Sequence, residues 1–188
     1  MLGTGVLILP YRPRLPLAKA IASLQELSSG RFLLGVGVGW MDSEFRALGV
    51  PRNKRGKIFE ETLSFINDCF EKDVMSSNGQ DFIFEPKPKK PSILVGGMSA
   101  AAFERAVKVG AGWFPIGQLS EMKDRIHLFR DLTEKKYGRP SEVVTYCSFA
   151  GQSESDFFDE LNSFRDAGIS RVIINSKYET ADDWSRLF

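Results

Sequence analysis

The chain has 188 residues, enough for one domain with a real core, and its 43% hydrophobic and 26% charged content is ordinary for a soluble globular protein. A net charge of +1 gives no electrostatic case for nucleic acid or membrane as a partner, and no apolar run approaches the roughly 20 residues that span a bilayer. The two cysteines, Cys69 and Cys147, lie in apolar segments without metal or CxxC spacing, and the opening MLGTGVLILP has no basic leader or cleavage site, so the cytoplasm is the expected compartment.

Residues 3–9, GTGVLIL, read as a strand, broken by Pro10 and Pro13 with Tyr11 and Arg12 between them. Pro16 fits the first turn of a helix. Leu17, Ile21, Leu24 and Leu27 follow at helical spacing, up to Gly30 as a C-terminal cap. Residues 32–39 come next, with Gly35, Gly37 and Gly39 alternating with Val36 and Val38. An apolar run of this length reads as a buried parallel strand, which makes the opening a βαβ unit. Side chains repeat every second residue, so three alternating glycines clear one face. That face either admits a flat ligand or packs against a neighbouring backbone.

Past Trp40 the chain turns polar. Residues 42–48 read as a short helix, broken by Gly49 and Pro51. A longer helix runs from about Lys57 to Lys72, burying Phe59, Leu63, Ile66 and Phe70. Asn78-Gly79 predicts a hairpin, and PKPKKP at 86–91 an extended linker. Residues 93–95 are the next core strand, ended by Gly96-Gly97, and Ser99 is placed to cap a helix over 100–109. GAGWFP at 110–115 reads as a strand end, 120–137 as a helix and 143–149 as a strand. Ser153 and Asp156 match a capping box ahead of a helix that stops at Ala167-Gly168. Residues 171–175 are the last strand, before a short helical tail ending at Phe188. Six core strands alternating with helices predict an α/β fold with a parallel sheet, doubly wound or closed into a barrel.

Four groups of residues could carry chemistry. Gly96, Gly97, Met98 and Ser99 stand between a strand and a helix, where free N–H groups and the helix dipole favour phosphate. Such a turn can equally be a simple corner. Arg52, Lys54, Arg55 and Lys57 form either a solvated face or a phosphate contact, with Arg55 the best-placed fork. Trp40, Trp113, Phe114 and Tyr146 lie at strand ends, as walls of a site or caps on the core. Asp42 and Glu44 are the best-placed carboxylates, with helix capping as the plainer reading. His127, mid-helix, reads as a surface or interface residue, and with no second histidine neither a zinc site nor a Ser-His-Asp triad is supportable.

Segments 2–24 (LGTGVLILPYRPRLPLAKAIASL), 27–56 (LSSGRFLLGVGVGWMDSEFRALGVPRNKRG), 91–115 (PSILVGGMSAAAFERAVKVGAGWFP) and 167–174 (AGISRVII) resemble, in this order, the luciferase-like monooxygenase family. That family includes bacterial luciferase and the deazaflavin-dependent reductases. The resemblance implies a (β/α)8, TIM-barrel-like flavoprotein that binds FMN or the deazaflavin coenzyme F-420 at the C-terminal ends of its strands. NAD(P)H is a candidate reductant, and the activity implied is that of an oxidoreductase or monooxygenase on a small-molecule substrate. By the same resemblance, Gly5 and Val6 sit where the family often has a non-proline cis peptide behind the flavin ring. Gly37 and Gly39 would clear room beside the ring. Arg55 and the backbone of Gly96, Gly97, Met98 and Ser99 would hold the phosphate, and Trp113, Phe114 and Pro115 would line the cavity.

The segment from Leu2 resembles the family's third barrel strand, and a full barrel takes about 250 residues. The expected architecture is therefore one incomplete barrel domain over 1–188, with about six of eight strand–helix units. Strand edges left open at 3–9 and 171–175, or helices, predict a homodimer. A non-catalytic flavin-binding remnant is the alternative function. No catalytic acid or base is assigned.

Overall fold

The computed structural model describes residues 1–109, 111–148, 153–175 and 180. Gly110, residue 149 at the end of the predicted 143–149 strand and the predicted helical tail lie outside the described residues. The chain divides into two compact units, residues 1–96 and 97–188.

The first unit runs β1 (Leu2–Gly3), β2 (Leu7–Ile8), α1 (Arg14–Leu27), β3 (Phe32–Gly37), α2 (Asp42–Ala47), α3 (Arg55–Glu71), β4 (Val74–Ser77), β5 (Gln80–Ile83) and β6 (Ser92–Gly96). β3 is buried along its whole length and is the middle of a parallel sheet. β6 lies on one side, with Leu34 opposite Ile93 and Val36 opposite Val95. β1 and β2 lie on the other. The sequence predicts one strand over 3–9, and the structure breaks it in two. Gly3 pairs with Leu33, and Leu7 with Val36. Four steps on one strand answer three on its neighbour, so residues 4–6 form a bulge of one extra residue. The Gly5–Val6 peptide inside it is cis.

α1 buries Leu17, Ala18, Ile21 and Ala22, and α3 buries Phe59, Leu63, Ile66 and Phe70. The latter set is the one its spacing predicts. Gln25, at the end of α1, is buried and bonded through both its polar atoms: its amide nitrogen donates to the Lys89 carbonyl at 2.9 Å, and its oxygen accepts from the Phe32 amide at 3.3 Å. A buried amide left unmatched costs about 1–3 kcal/mol, and here it ties helix, strand and the 86–91 segment together. The Asn78-Gly79 hairpin has φ of 52° and 76° at its two turn residues, the positive pair that a tight two-residue turn requires.

The second unit runs α4 (Ala100–Val109), β7 (Gly112–Phe114), α5 (Leu119–Tyr137), β8 (Val144–Ser148), α6 (Glu154–Asp166) and β9 (Arg171–Asn175). β8 and β9 pair in parallel, and Trp113 bridges in parallel to Val143. The core is aromatic. Trp113 is fully buried, its ring 5.4 Å from Phe103 and 5.7 Å from Phe129. α5 ends on Gly138 in the left-handed conformation, and the Ser153 hydroxyl caps α6 by accepting from the Asp156 amide at 3.2 Å.

This is a mixed α/β fold with parallel strands, and the described strands form no closed barrel, as expected of an incomplete one. Among the described residues, no helix is long and apolar enough to cross a membrane.

Candidate functional site

The face cleared by the β3 glycines is occupied by the protein itself. A Cβ on Gly35 would lie 1.9 Å from the Thr4 carbonyl oxygen. On Gly37 it would lie 2.7 Å from a Val6 methyl, and on Gly96, across the sheet, 2.8 Å from the other. The bulge pushes Thr4 and Val6 onto β3 and β6, and glycine is what lets them in. The Thr4 hydroxyl fastens the arrangement by donating to the Gly35 carbonyl at 2.7 Å. Close backbone packing is realised at Gly35, while Gly37, and Gly96 on β6, seat the Val6 side chain, which neither reading of the face anticipated. Val6 itself is half-buried and Gly5 is exposed.

Beyond β3 the chain turns at Gly39, where φ is 79° and a Cβ would meet Ile8 at 2.8 Å and the Phe45 ring at 3.1 Å. Trp40 follows, 75% exposed. Neither carboxylate of α2 caps the helix, whose N-cap position, Met41, has no side-chain bond. Asp42 pairs with Arg46 at 3.2 Å. Glu44 instead accepts from the Tyr11 hydroxyl at 2.9 Å. Burial pushes the Tyr11 hydroxyl above its ordinary value near 10, the bond to Glu44 and its charge add to the rise, and Arg52 opposes it. Arg55 is half-buried and donates to the Arg52 carbonyl at 3.0 Å, while Lys54 and Lys57 are exposed.

In the second unit, the turn at 97–99 has its carbonyls engaged from behind. The buried Trp113 indole donates to the Gly97 carbonyl at 2.9 Å. Arg125, on α5, donates to the Met98 carbonyl and, at 3.4 Å, to the Ser99 carbonyl. Its guanidinium is stacked 5.1 Å from the Phe103 ring and 5.3 Å from Trp113. Ser99 caps α4 by accepting from the Ala102 amide at 3.2 Å. Among the described residues no acceptor takes the amides of Met98, Ser99, Ala100 or Ala101. Trp113, Phe114 and Pro115 are buried, and Phe114 packs on Tyr146 at 5.0 Å. Trp113 thus supports the turn from within the core. His127 is exposed. No group of three or more His, Cys, Asp and Glu suited to a metal ion occurs among the described residues.

Arg125 and Tyr11 are the two residues that sequence reasoning did not single out. The first lies 27 positions from its Met98 partner and the second 33 from Glu44, and no motif marks either.

A strand-end site with a glycine-rich turn is common to many α/β proteins. Here a model of the family described as luciferase-like monooxygenase matches residues 1–165. The chain belongs to that family. Among luciferase-like relatives, the FMNH2-dependent dimethylsulfone monooxygenase of Pseudomonas putida is 32% identical over 123 residues, 60% of this chain and 34% of that enzyme. An uncharacterised protein of Mycobacterium tuberculosis is 29% identical over 179 residues, 90% of this chain. The chain spans 59% of that relative's length. The fold is similar to that of 3,6-diketocamphane monooxygenase of Pseudomonas putida in complex with FMN, with a TM-score of 0.66 at 15% identity. That likeness covers 89% of this chain and 61% of the other.

Proposed function

We propose that the protein is a flavin- or deazaflavin-dependent oxidoreductase of the luciferase-like type, a monooxygenase or a reductase, acting on a small-molecule substrate. One observation carries the reading beyond family membership. The turn at 97–99 holds its carbonyls inward, on Trp113 and Arg125, and leaves the amides of residues 98–101 without acceptors among the described residues. A phosphate monoester such as that of FMN suits several N–H donors at a helix N-terminus, where the dipole adds to the attraction. Gly97 suits the same role, because at φ 120° a side chain would be strained and its Cβ would crowd Ala102 at 3.1 Å.

FMN is favoured by the FMNH2-dependent relative and by the FMN-bound structural neighbour. A bound flavin supplies the hydride or oxygen chemistry, and the protein holds, orients and shields it. In the first unit, Gly5, Val6, Gly37, Gly39 and Arg55 are the positions that the resemblance assigns to the cofactor, each open to test by substitution.

Titration with FMN, and separately with F-420, followed by an assay of NADH and NADPH oxidation, tests the reading. Saturable FMN binding is expected, weakened at least about tenfold, or about 1.4 kcal/mol, by Ser99→Asp. Asp serves as a helix cap as well as Ser does, so the fold is kept while a carboxylate enters the group of amides. Binding indifferent to that substitution overturns the assignment of the turn. Binding without turnover selects the non-catalytic alternative.

A further inference from the structure

We propose that Tyr11 and Glu44 form a latch that fixes the segment from Trp40 to Arg55 at the C-terminal ends of β2 and β3. Tyr11 is thereby a positioning residue for a ligand bound at those strand ends. The latch stands on contacts within the first unit; that its ligand is a flavin rests on the function proposed above.

α2 is six residues long, too short to persist on its own hydrogen bonds. It has no side-chain cap, and its Asp42–Arg46 ion pair joins two residues of the same helix and so ties it to nothing else. Two contacts from one side chain tie it down. Tyr11, on the short turn Leu9–Tyr11 after β2, sets its ring edge-on against Phe45 at a centroid distance of 4.8 Å and an angle of 75°. Its hydroxyl donates to Glu44 at 2.9 Å. Successive residues of α2 therefore meet the same phenol, one through its ring and one through its oxygen. Phe45 is 1% exposed and lies against Gly39, so the pull on α2 reaches the end of β3.

The far end of the segment is tied to its start. The Arg52 guanidinium donates to the Trp40 carbonyl at 3.4 Å, and Arg55 donates to the Arg52 carbonyl. The segment closes on itself through arginine and is fastened to the unit through Tyr11 and Phe45. In parallel α/β sheets, ligands bind beyond the carboxyl ends of the strands. An exposed indole, Trp40, stands at that end of β3, and its placement depends on a helix that Tyr11 holds.

Hydrogen–deuterium exchange on the full chain, with FMN titration of the same variants, tests the latch. Tyr11→Phe keeps the ring on Phe45 and deletes the donor, Glu44→Ala deletes the acceptor, and Glu44→Gln retains one. Tyr11→Phe and Glu44→Ala are expected to raise amide exchange across residues 42–50 about five- to tenfold with α3 unchanged, and Glu44→Gln to restore most of the protection. FMN, titrated well below the unfolding transition, is expected to bind Tyr11→Phe about fivefold more weakly while the thermal midpoint falls by no more than about 2–4 °C, a combination that a merely structural role would not produce. Unchanged exchange in Tyr11→Phe overturns the latch. Faster exchange with unchanged FMN affinity overturns its positioning role. A wild-type chain that binds no FMN overturns the flavin reading instead, and the exchange result still decides the latch.

Discussion

Along β3, the space that Gly35 and Gly37 vacate is taken by the Thr4 carbonyl and a Val6 methyl, whereas at the turn after β6, Gly97 adopts a φ of 120° and the amides that follow it have no acceptors among the described residues. In the first region glycine makes room for the protein's own atoms. In the second it permits a positive-φ backbone shape that a side chain would strain. Both are Gly-rich strand ends in the sequence, and of the two only the second leaves amides without acceptors among the described residues. What stands where a Cβ would be, more than the glycine pattern, decides whether such a stretch can serve a ligand.

The contrast can be broken or sharpened by substitution. The largest effect is expected at Gly35→Ala, because the obstructing atom is a backbone oxygen that cannot swing away; the loss should reach at least about 3 kcal/mol in urea unfolding. Gly37→Ala meets a side chain, so it should cost less, about 1–3 kcal/mol, and Val6→Ala in the same chain should recover most of it. A double mutant with no recovery would show that Val6 is not what Gly37 accommodates. Trp113→Phe leaves the half-buried Gly97 carbonyl without its donor and should cost about 1–2 kcal/mol, with FMN binding weakened in step if the indole shapes the turn.

The smallest effect compares one thiol from each unit. Burial pushes both Cys69 and Cys147 up to about 11, with the carboxylates of Asp68 and Glu160 adding to the rise. Between about pH 9 and pH 11 the folded chain keeps protons that the unfolded chain has lost, so stability falls as pH rises through that window and is indifferent to these groups below it. Urea midpoints at pH 8 and pH 10 check the sign. At pH 8 neither thiol should react with a disulfide reagent until the chain unfolds.

Much of the scaffold was legible in advance. The helical spacing of Phe59, Leu63, Ile66 and Phe70, the Asn78-Gly79 turn and the caps at Ser99 and Ser153 are local signals, and each element formed where its signal lay. The break in the 3–9 strand was not legible in the local pattern of GTGVLIL, and only the family resemblance, which places a cis peptide at Gly5-Val6, pointed to it. It is imposed by the neighbour, whose Gly35 admits the Thr4 carbonyl. The candidate site divides the same way. The turn at 97–99 announces itself by its glycines, but the groups that orient it and the loop after β3 do not. An arginine on α5 and a tyrosine between prolines read as solvated side chains until folding brings them to carbonyls and a carboxylate far along the chain.

The extra residue in the bulge sets a phase. Gly3 and Ile8 are five positions apart and would point to opposite sides of a regular strand, yet they pair with Leu33 and Gly37, which share a side. Deleting or adding a single residue at 4–6 would turn everything downstream inside out, carrying Ile8 and Tyr11 to the wrong side of the sheet. The length of that three-residue link is thus harder to edit than its composition. Aligned homologues should differ there by exchange of residues and not by gaps.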